Sequence, residues 1–296
     1  MSFQEYLYFK HNIRIKTDLS NLIKTLILTG DVETVKTKER ELNDQLPPLR
    51  TPLKKELELY LKRGGFPYGF GLNEFEFVTI TQEMGERIVE NDVSHYQTLR
   101  NGSKETIYKL ITFLALQNPG ELSVNNLSQK IYASMSVIHN LLNILEKTHL
   151  IFAVNSYGGA SKAVKKPKKY YFLSPSIKSS LTKYLSSYGT DHQKFLGTLA
   201  ETFVGSCFFR LQESYELSTR IFYPTEKGGV DFLLTTPDEK IIPIEVGIGK
   251  KDKKQLKKAI NKYNCDYGII ISNETPLIRK EEDIIYLPLT SFSLLN

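Results

Sequence analysis

Cysteine is scarce in this chain of 296 residues: there are two, Cys207 and Cys265. They lie at no metal-ligand spacing, which argues against a structural zinc and for a reducing, cytoplasmic compartment. Long apolar runs are missing as well. Nothing approaches the roughly 18 consecutive apolar residues of a membrane span, and the opening MSFQEYLYFKHN lacks the apolar core of a secretory signal. A third absence is the phosphate-cradling loop G-x-x-x-x-G-K-[ST]. The glycines from Gly64 to Gly71 have no lysine in the required place and do not open a helix, so no nucleotide-binding loop is expected, nor ATP turnover by this chain alone. The histidines, His11, His95, His139, His149 and His192, are scattered without ligand spacing. No internal repeat is visible, and neither cysteine has a base partner in view for thiol chemistry.

What is present fits a soluble globular protein. Hydrophobic residues make up 41% and charged residues 24%, and the length favours two or three domains. The net charge is +6 and the pI about 9.0, which permits nucleic-acid binding without requiring it. The lysines are clustered: five lie between Lys162 and Lys169 and seven between Lys250 and Lys262.

Three regions follow from the patterning. Residues 1–103 read as mostly helical. TDLSNLIKTLI and TPLKKELELYLKRGGFP carry apolar residues at helical spacing, with Gly64, Gly65 and Pro67 stopping the second helix. YGFGLNEFEF reads as an extended connector, and ITQEMGERIVENDVSHYQTLR as a further helix. In residues 104–188, KETIYKLITFLALQ, SVNNLSQKI and SMSVIHNLLNILEKTHL predict three helices, with Ser123 and Ser136 as N-caps. IFAVNSYGG and KKYYFLS then predict a hairpin around a lysine-rich loop. Three helices followed by a basic hairpin make a winged helix-turn-helix. Residues 189–296 predict a long helix, strands at RIFYPT, GVDFLLTT and IIPIEVGI, a lysine-rich helix, and the continuous apolar strand YGIIISN, as in strands buried on both faces. The predicted fold class is therefore mixed α+β.

Two carboxylates stand out because both interrupt apolar strands, where an unpaired charge is costly. Asp231 and Glu245 on adjacent strands can place two hard oxygen ligands for Mg²⁺ at one point, and Glu201 on the preceding helix can add a third. The plainer alternative makes them surface carboxylates of edge strands.

LGTLAETFV, YPTEKGGVDFLL and PIEVGIGK together resemble the helix–strand–strand signature of PD-(D/E)XK nucleases. More narrowly, they resemble the nuclease-like C-terminal region of a family of archaeal and bacterial AAA+ ATPases. MSFQEYL is similar to the segment that closes the ATPase module in that family, and ELYLKRGGFP to its helical lid. The resemblance spans nearly the whole chain, and it implies a lid remnant, a winged helix and a restriction-endonuclease-like α/β domain, in that order. It also implies catalytic roles for Glu201, Asp231 and Glu245, with Asp231 and Glu245 as the metal ligands. Two departures accompany it. The nucleotide-binding half is absent, so ATP would enter only through a part this chain lacks. The lysine the nuclease pattern places two residues after the glutamate is Gly247 here, leaving Lys250 or Lys254 to supply the amine.

For DNA contact, the second helix of the helix-turn-helix offers Ser136, His139, Asn140 and Asn143 away from its apolar face, and asparagine pairs bidentately with adenine. Lys162, Lys165, Lys166, Lys168 and Lys169 suit phosphate contacts. The plainer alternatives are a protein-docking spacer with a solvated loop, and lysines on Lys250–Lys262 that merely face solvent opposite Leu256, Ala259, Ile260 and Tyr263. The expected function is engagement of DNA or a partner protein on behalf of a nucleotide-driven motor. The alternatives are a Mg²⁺-dependent DNA endonuclease and a protein-interaction module.

Overall fold

The computed structural model describes residues 1–15, 18–45, 49, 51–88, 103–118, 120–158, 166–185, 191–214, 219–249 and 252–295. Among them the N-terminal region is helical, as its apolar spacing predicts: α1 (Phe3–His11), α2 (Leu19–Thr29), α3 (Glu33–Gln45), α4 (Leu53–Leu59) running on into a π turn (Tyr60–Gly64), and α5 (Glu74–Arg87). Ser2 and Glu5 form a reciprocal capping box on α1. Asn73 and Glu76 do the same on α5. That second box overturns the extended reading of NEFEF: its phenylalanines favour a strand, but N-x-x-E satisfies two backbone donors and starts a helix instead.

The middle region comprises α6 (Ser103–Leu116), β1 (Glu121–Leu122), α7 (Val124–Ile131), α8 (Met135–Lys147), the hairpin β2 (Ile151–Ser156) and β3 (Lys168–Phe172), and α9 (Pro175–Leu185). Ser123 caps α7 as expected. The cap of α8 is Ser134, not Ser136: its side chain accepts from Val137 N, which places Ser136 inside the first turn. In a run of alternating serines, the residue that keeps an extended backbone becomes the cap. The last region holds α10 (His192–Glu213), β4 (Arg220–Tyr223), β5 (Phe232–Thr235), β6 (Ile241–Gly247), α11 (Lys253–Tyr263), β7 (Gly268–Ser272), β8 (Arg279–Glu281), β9 (Ile284–Pro288) and α12 (Leu289–Phe292).

All described strands join one mixed sheet in the order β1-β3-β2-β4-β5-β6-β7-β9-β8. The hairpin of the middle region is thus continuous with the C-terminal sheet. Asn155 and Ser156 pair in parallel with Phe222 and Tyr223, and Tyr157 N donates to Tyr223 O at 2.8 Å. The run from β4 to β6 is antiparallel, and β6, β7 and β9 are parallel.

Alternation along the strands builds two cores. One face carries Phe232, Ile244, Val246, Ile269 and Leu287 beneath α10, and helices α1, α2 and α4 join the same cluster. The other carries Leu233, Ile270 and Tyr286 beneath Leu256, Ala259 and Ile260 of α11. A third core joins α6, α7, α8 and α9 to the base of the hairpin. The N-terminal helices are tied to the C-terminal region by polar contacts too. Tyr267 OH donates to Ile27 O at 2.7 Å, and buried Glu39 accepts from Ile278 N and from Ser291 Oγ.

Gly205 sets how closely α10 approaches the sheet. A Cβ there would come within 2.9 Å of the Phe232 ring. Gly205→Val is therefore expected to lower the urea midpoint by an amount equivalent to about 1–3 kcal/mol of overpacking, with an unchanged denaturant slope.

Candidate functional site

Asp231 sits at the bend just before β5. Extending the register Phe232↔Ile244 by one residue sets it opposite Glu245, the arrangement in which side chains of an antiparallel pair share a face. Asp231 Oδ2 accepts a 2.7 Å hydrogen bond from Val246 N, closing the end of the ladder with a side chain. Glu245 is 3% exposed. It stands beside Ile270 in the parallel β6/β7 pair, and Ile270 belongs to the core under α11, so Glu245 lies on that side of the sheet.

Glu201 projects from α10, which covers the opposite face. Its Oε1 accepts from Tyr171 OH at 2.9 Å. The Tyr171 phenol is pushed well up, first by burial, then by the charges of Glu201 and Asp231. Tyr171 thus lies within electrostatic reach of both carboxylates. Lys178 of α9 also feels the Glu201 charge. It is 4% exposed, and its Nζ donates to Leu114 O at 3.4 Å, Ala115 O at 3.0 Å and Gln117 O at 2.9 Å, carbonyls at the end of α6. Burial brings its amine down to about 8, partly opposed by Glu201. Neither residue belongs to a sequence motif. The sequence signal for Lys178 is a lysine among the apolar positions of residues 175–185; Tyr171 carries none.

Of the two lysines considered for the catalytic amine, Lys250 lies outside the described residues. Lys254 opens α11 with its side chain 83% exposed, 3.6 Å from the Asp252 carboxylate, on the helix face away from Leu256 and Ile260. Among the described residues, no three His, Cys, Asp or Glu side chains come together in a way that could hold a metal. As placed, Asp231 holds a backbone amide with one oxygen, Glu245 is closed off from solvent, and Glu201 reaches toward Tyr171 from α10.

The helix pair α7–α8 presents a different surface. Ile138, Leu141, Leu142, Ile144 and Leu145 bury one face of α8. Ser136 and His139 are exposed, and Asn140 and Asn143 are half-buried. In the turn between the helices Tyr132 takes a left-handed backbone (φ 59°) and closes α7 by donating its N–H to Ser128 O. Its side chain is 94% exposed, and that of Met135, at the start of α8, 55%. Lys162 and Lys165 lie outside the described residues. Lys166 is exposed, whereas Lys168 approaches Glu146 at 3.8 Å and Lys169 lies 5.2 Å from the centre of the Tyr223 ring. Those two lysines, read as phosphate ligands, are engaged with the protein itself.

Residues 54–187 match a domain of unknown function (DUF8612) and residues 196–292 match another (DUF4143). The whole chain is 30% identical, over 297 aligned residues, to an uncharacterized protein of Methanocaldococcus jannaschii, and it covers 59% of that protein's length. A second similarity, 31% identity over 121 residues, is to an uncharacterized protein of Haemophilus influenzae; it covers 38% of this chain and 29% of that protein. No solved structure matches. No described helix is long and apolar enough to cross a membrane.

Proposed function

We propose that this chain works as the C-terminal portion of a AAA+ ATPase-like protein, engaging DNA through α8 and the hairpin that follows it. In this reading the nuclease-like α/β region serves as a scaffold rather than a cleaving centre. The observation that carries the reading is the first turn of α8. It is capped by Ser134, buried only along its apolar stripe, and leaves Ser136 and His139 in solvent. A second helix that enters a major groove presents such a first turn, and a lysine-bearing hairpin suits the backbone. Two findings support the larger context. The chain spans 59% of the archaeal relative, and its last third matches a domain found in AAA-ATPase-associated proteins.

Fluorescence anisotropy with duplex DNA over a salt series tests it. Affinity should fall steeply with added salt. Changing Lys162, Lys165 and Lys166 together to alanine should weaken binding to every sequence and flatten the salt slope by about one unit per lost phosphate contact. His139→Ala with Asn140→Ala should instead weaken binding unevenly between sequences. Binding that ignores all five changes would refute a DNA role for this surface.

A second reading has an observation of its own. Tyr132 and Met135 form an exposed apolar tip on the turn between α7 and α8, which favours a protein partner. Capture of DNA unchanged by Tyr132→Ser, with loss of a partner contact in the same variant, would point there. The endonuclease reading rests on the register of Asp231 and Glu245 alone. Its test is nicking of supercoiled plasmid with Mg²⁺ or Mn²⁺ against an Asp231→Ala control, and the expected result is equal, background-level nicking by both.

A further inference from the structure

Away from both carboxylates and the α7–α8 turn, a cavity of about 200 Å³ opens between the π turn after α4, the first turn of α5, and α9. Its polar lining is lopsided in charge. Lys62 and Arg63 reach it from the π turn and Lys183 from α9, while Glu74 of α5 is the single carboxylate among its described lining residues. Lys183 pairs with Glu74. Lys62 Nζ stands 3.1 Å from His192 Nε2, and Arg63 donates to Leu72 O at 3.3 Å.

Two serines complete the wall. Ser179 and Ser180 fall on the same face of α9 as Lys183, one turn earlier, and both are buried. The Ser180 hydroxyl is closed off from solvent and has no hydrogen-bond partner among the described residues. A buried hydroxyl without a partner is costly in a protein interior, and here it borders a cavity where three cations outnumber one carboxylate. The Lys183 amine is brought down by burial first and then by the nearness of Lys62 and Arg63. The cations therefore act on one another at short range, which a bound anion would relieve.

We propose that this cavity is a binding site for a phosphoryl oxyanion, either free phosphate or the terminal phosphate of a nucleotide, held by Lys62, Arg63 and Lys183 with Ser180 as an additional donor. Arg63 supplies the planar fork suited to phosphate oxygens and the two lysines supply point charges. Ser180 gains the acceptor it lacks. The site is independent of the DNA reading, since none of its residues lies on α7, α8 or the hairpin.

Calorimetric titration of the full chain with inorganic phosphate and, separately, with ADP tests this, at constant ionic strength. The expected result is saturable binding of at least one of the two. Lys183→Met should weaken it by about tenfold or more and Ser180→Ala by about threefold to tenfold, with Lys183→Arg close to the parent. Equal affinity for phosphate and ADP would assign the phosphoryl group alone as ligand. Tighter ADP binding that still depends on Lys183 would identify a nucleotide as the source. No saturable heat with either ligand would overturn the proposal. So would binding that survives both Lys183→Met and Ser180→Ala in variants whose thermal unfolding matches the parent.

Discussion

Glu56→Gln is expected to cost about 2–3 kcal/mol of stability at pH 7, lowering Tm by roughly 5–10 °C, and almost nothing near pH 2. Glu56 is buried, yet it collects donors from separate parts of the N-terminal region. Tyr6 OH lies at 2.9 Å and Lys10 Nζ at 2.8 Å, His11 Nε2 approaches to 3.1 Å, and Thr51 donates as well. Burial alone would raise its pKa; the donors, led by Lys10 and Thr51, overcome that and hold it at about 2. A carboxyl depressed in the folded state stabilises fully above its unfolded value. That contribution fades as pH falls through the folded value, when the folded chain also takes up the proton. The difference between parent and variant should thus be constant above about pH 5 and shrink progressively toward about pH 2. Urea unfolding at three pH values measures it. A difference that persists undiminished at the lowest pH would mean that the carboxylate charge is not what Glu56 contributes.

Lys178→Met should behave in the opposite sense. The substitution keeps an apolar stem of similar length but leaves the carbonyls of Leu114, Ala115 and Gln117 without their donor. The cost is about 2–3 kcal/mol in alkaline solution and less at neutral pH. The reason for the pH dependence is that the folded Lys178 amine titrates at about 8, against an ordinary lysine value of 10.5. Between those values the unfolded lysine still holds a proton that the folded one has released, so folding of the parent becomes more favourable as pH rises across the window. The methionine variant has no such group. Subtracting the two stability profiles also removes the buried tyrosines common to both, such as Tyr60, whose raised phenol costs the folded state stability only above the ordinary tyrosine range. A difference that stays flat from neutral to alkaline pH would indicate that Lys178 remains fully charged against its three carbonyls.

Lys178 also bears on how the C-terminal α/β region is held. Lys178 and Tyr171 flank Glu201 from α9 and β3, elements that precede the C-terminal region in the chain. The carboxylate that the signature assigns to catalysis is therefore held by the middle region. Asp231 has taken over a ladder hydrogen bond from the backbone. Glu201 and Asp231 each make a structural hydrogen bond, which together with Gly247 in place of the signature lysine supports the proposed scaffold role.

The sequence by itself determined the elements that rest on local physics. Period-3.6 apolar spacing marked α2, α4, α8 and α11; alternating or continuous apolar runs marked β5, β6 and β7; Ser123 marked the start of α7. It also determined that the runs carrying Asp231 and Glu245 pair as neighbouring strands β5 and β6, because helix–strand–strand order and the short connection between the two runs leave little choice of pairing. Local rules failed where two signals competed: NEFEF, whose aromatic residues lost to a capping box, and the serine run in which Ser134 rather than Ser136 kept the extended backbone. Only the tertiary structure decided the rest. Joining the β2–β3 hairpin to β4 and packing α1, α2 and α4 into the core under α10 depend on contacts more than 60 residues apart in the case of β2 and β4, and about 240 apart in the case of Ile27 and Tyr267. No window of local sequence encodes such pairings, because their energy comes from burial shared between distant faces. The same holds for the cation-lined cavity. Lys62, Arg63, Lys183 and Ser180 carry no motif, and they become a candidate site only because α9 packs against the π turn after α4.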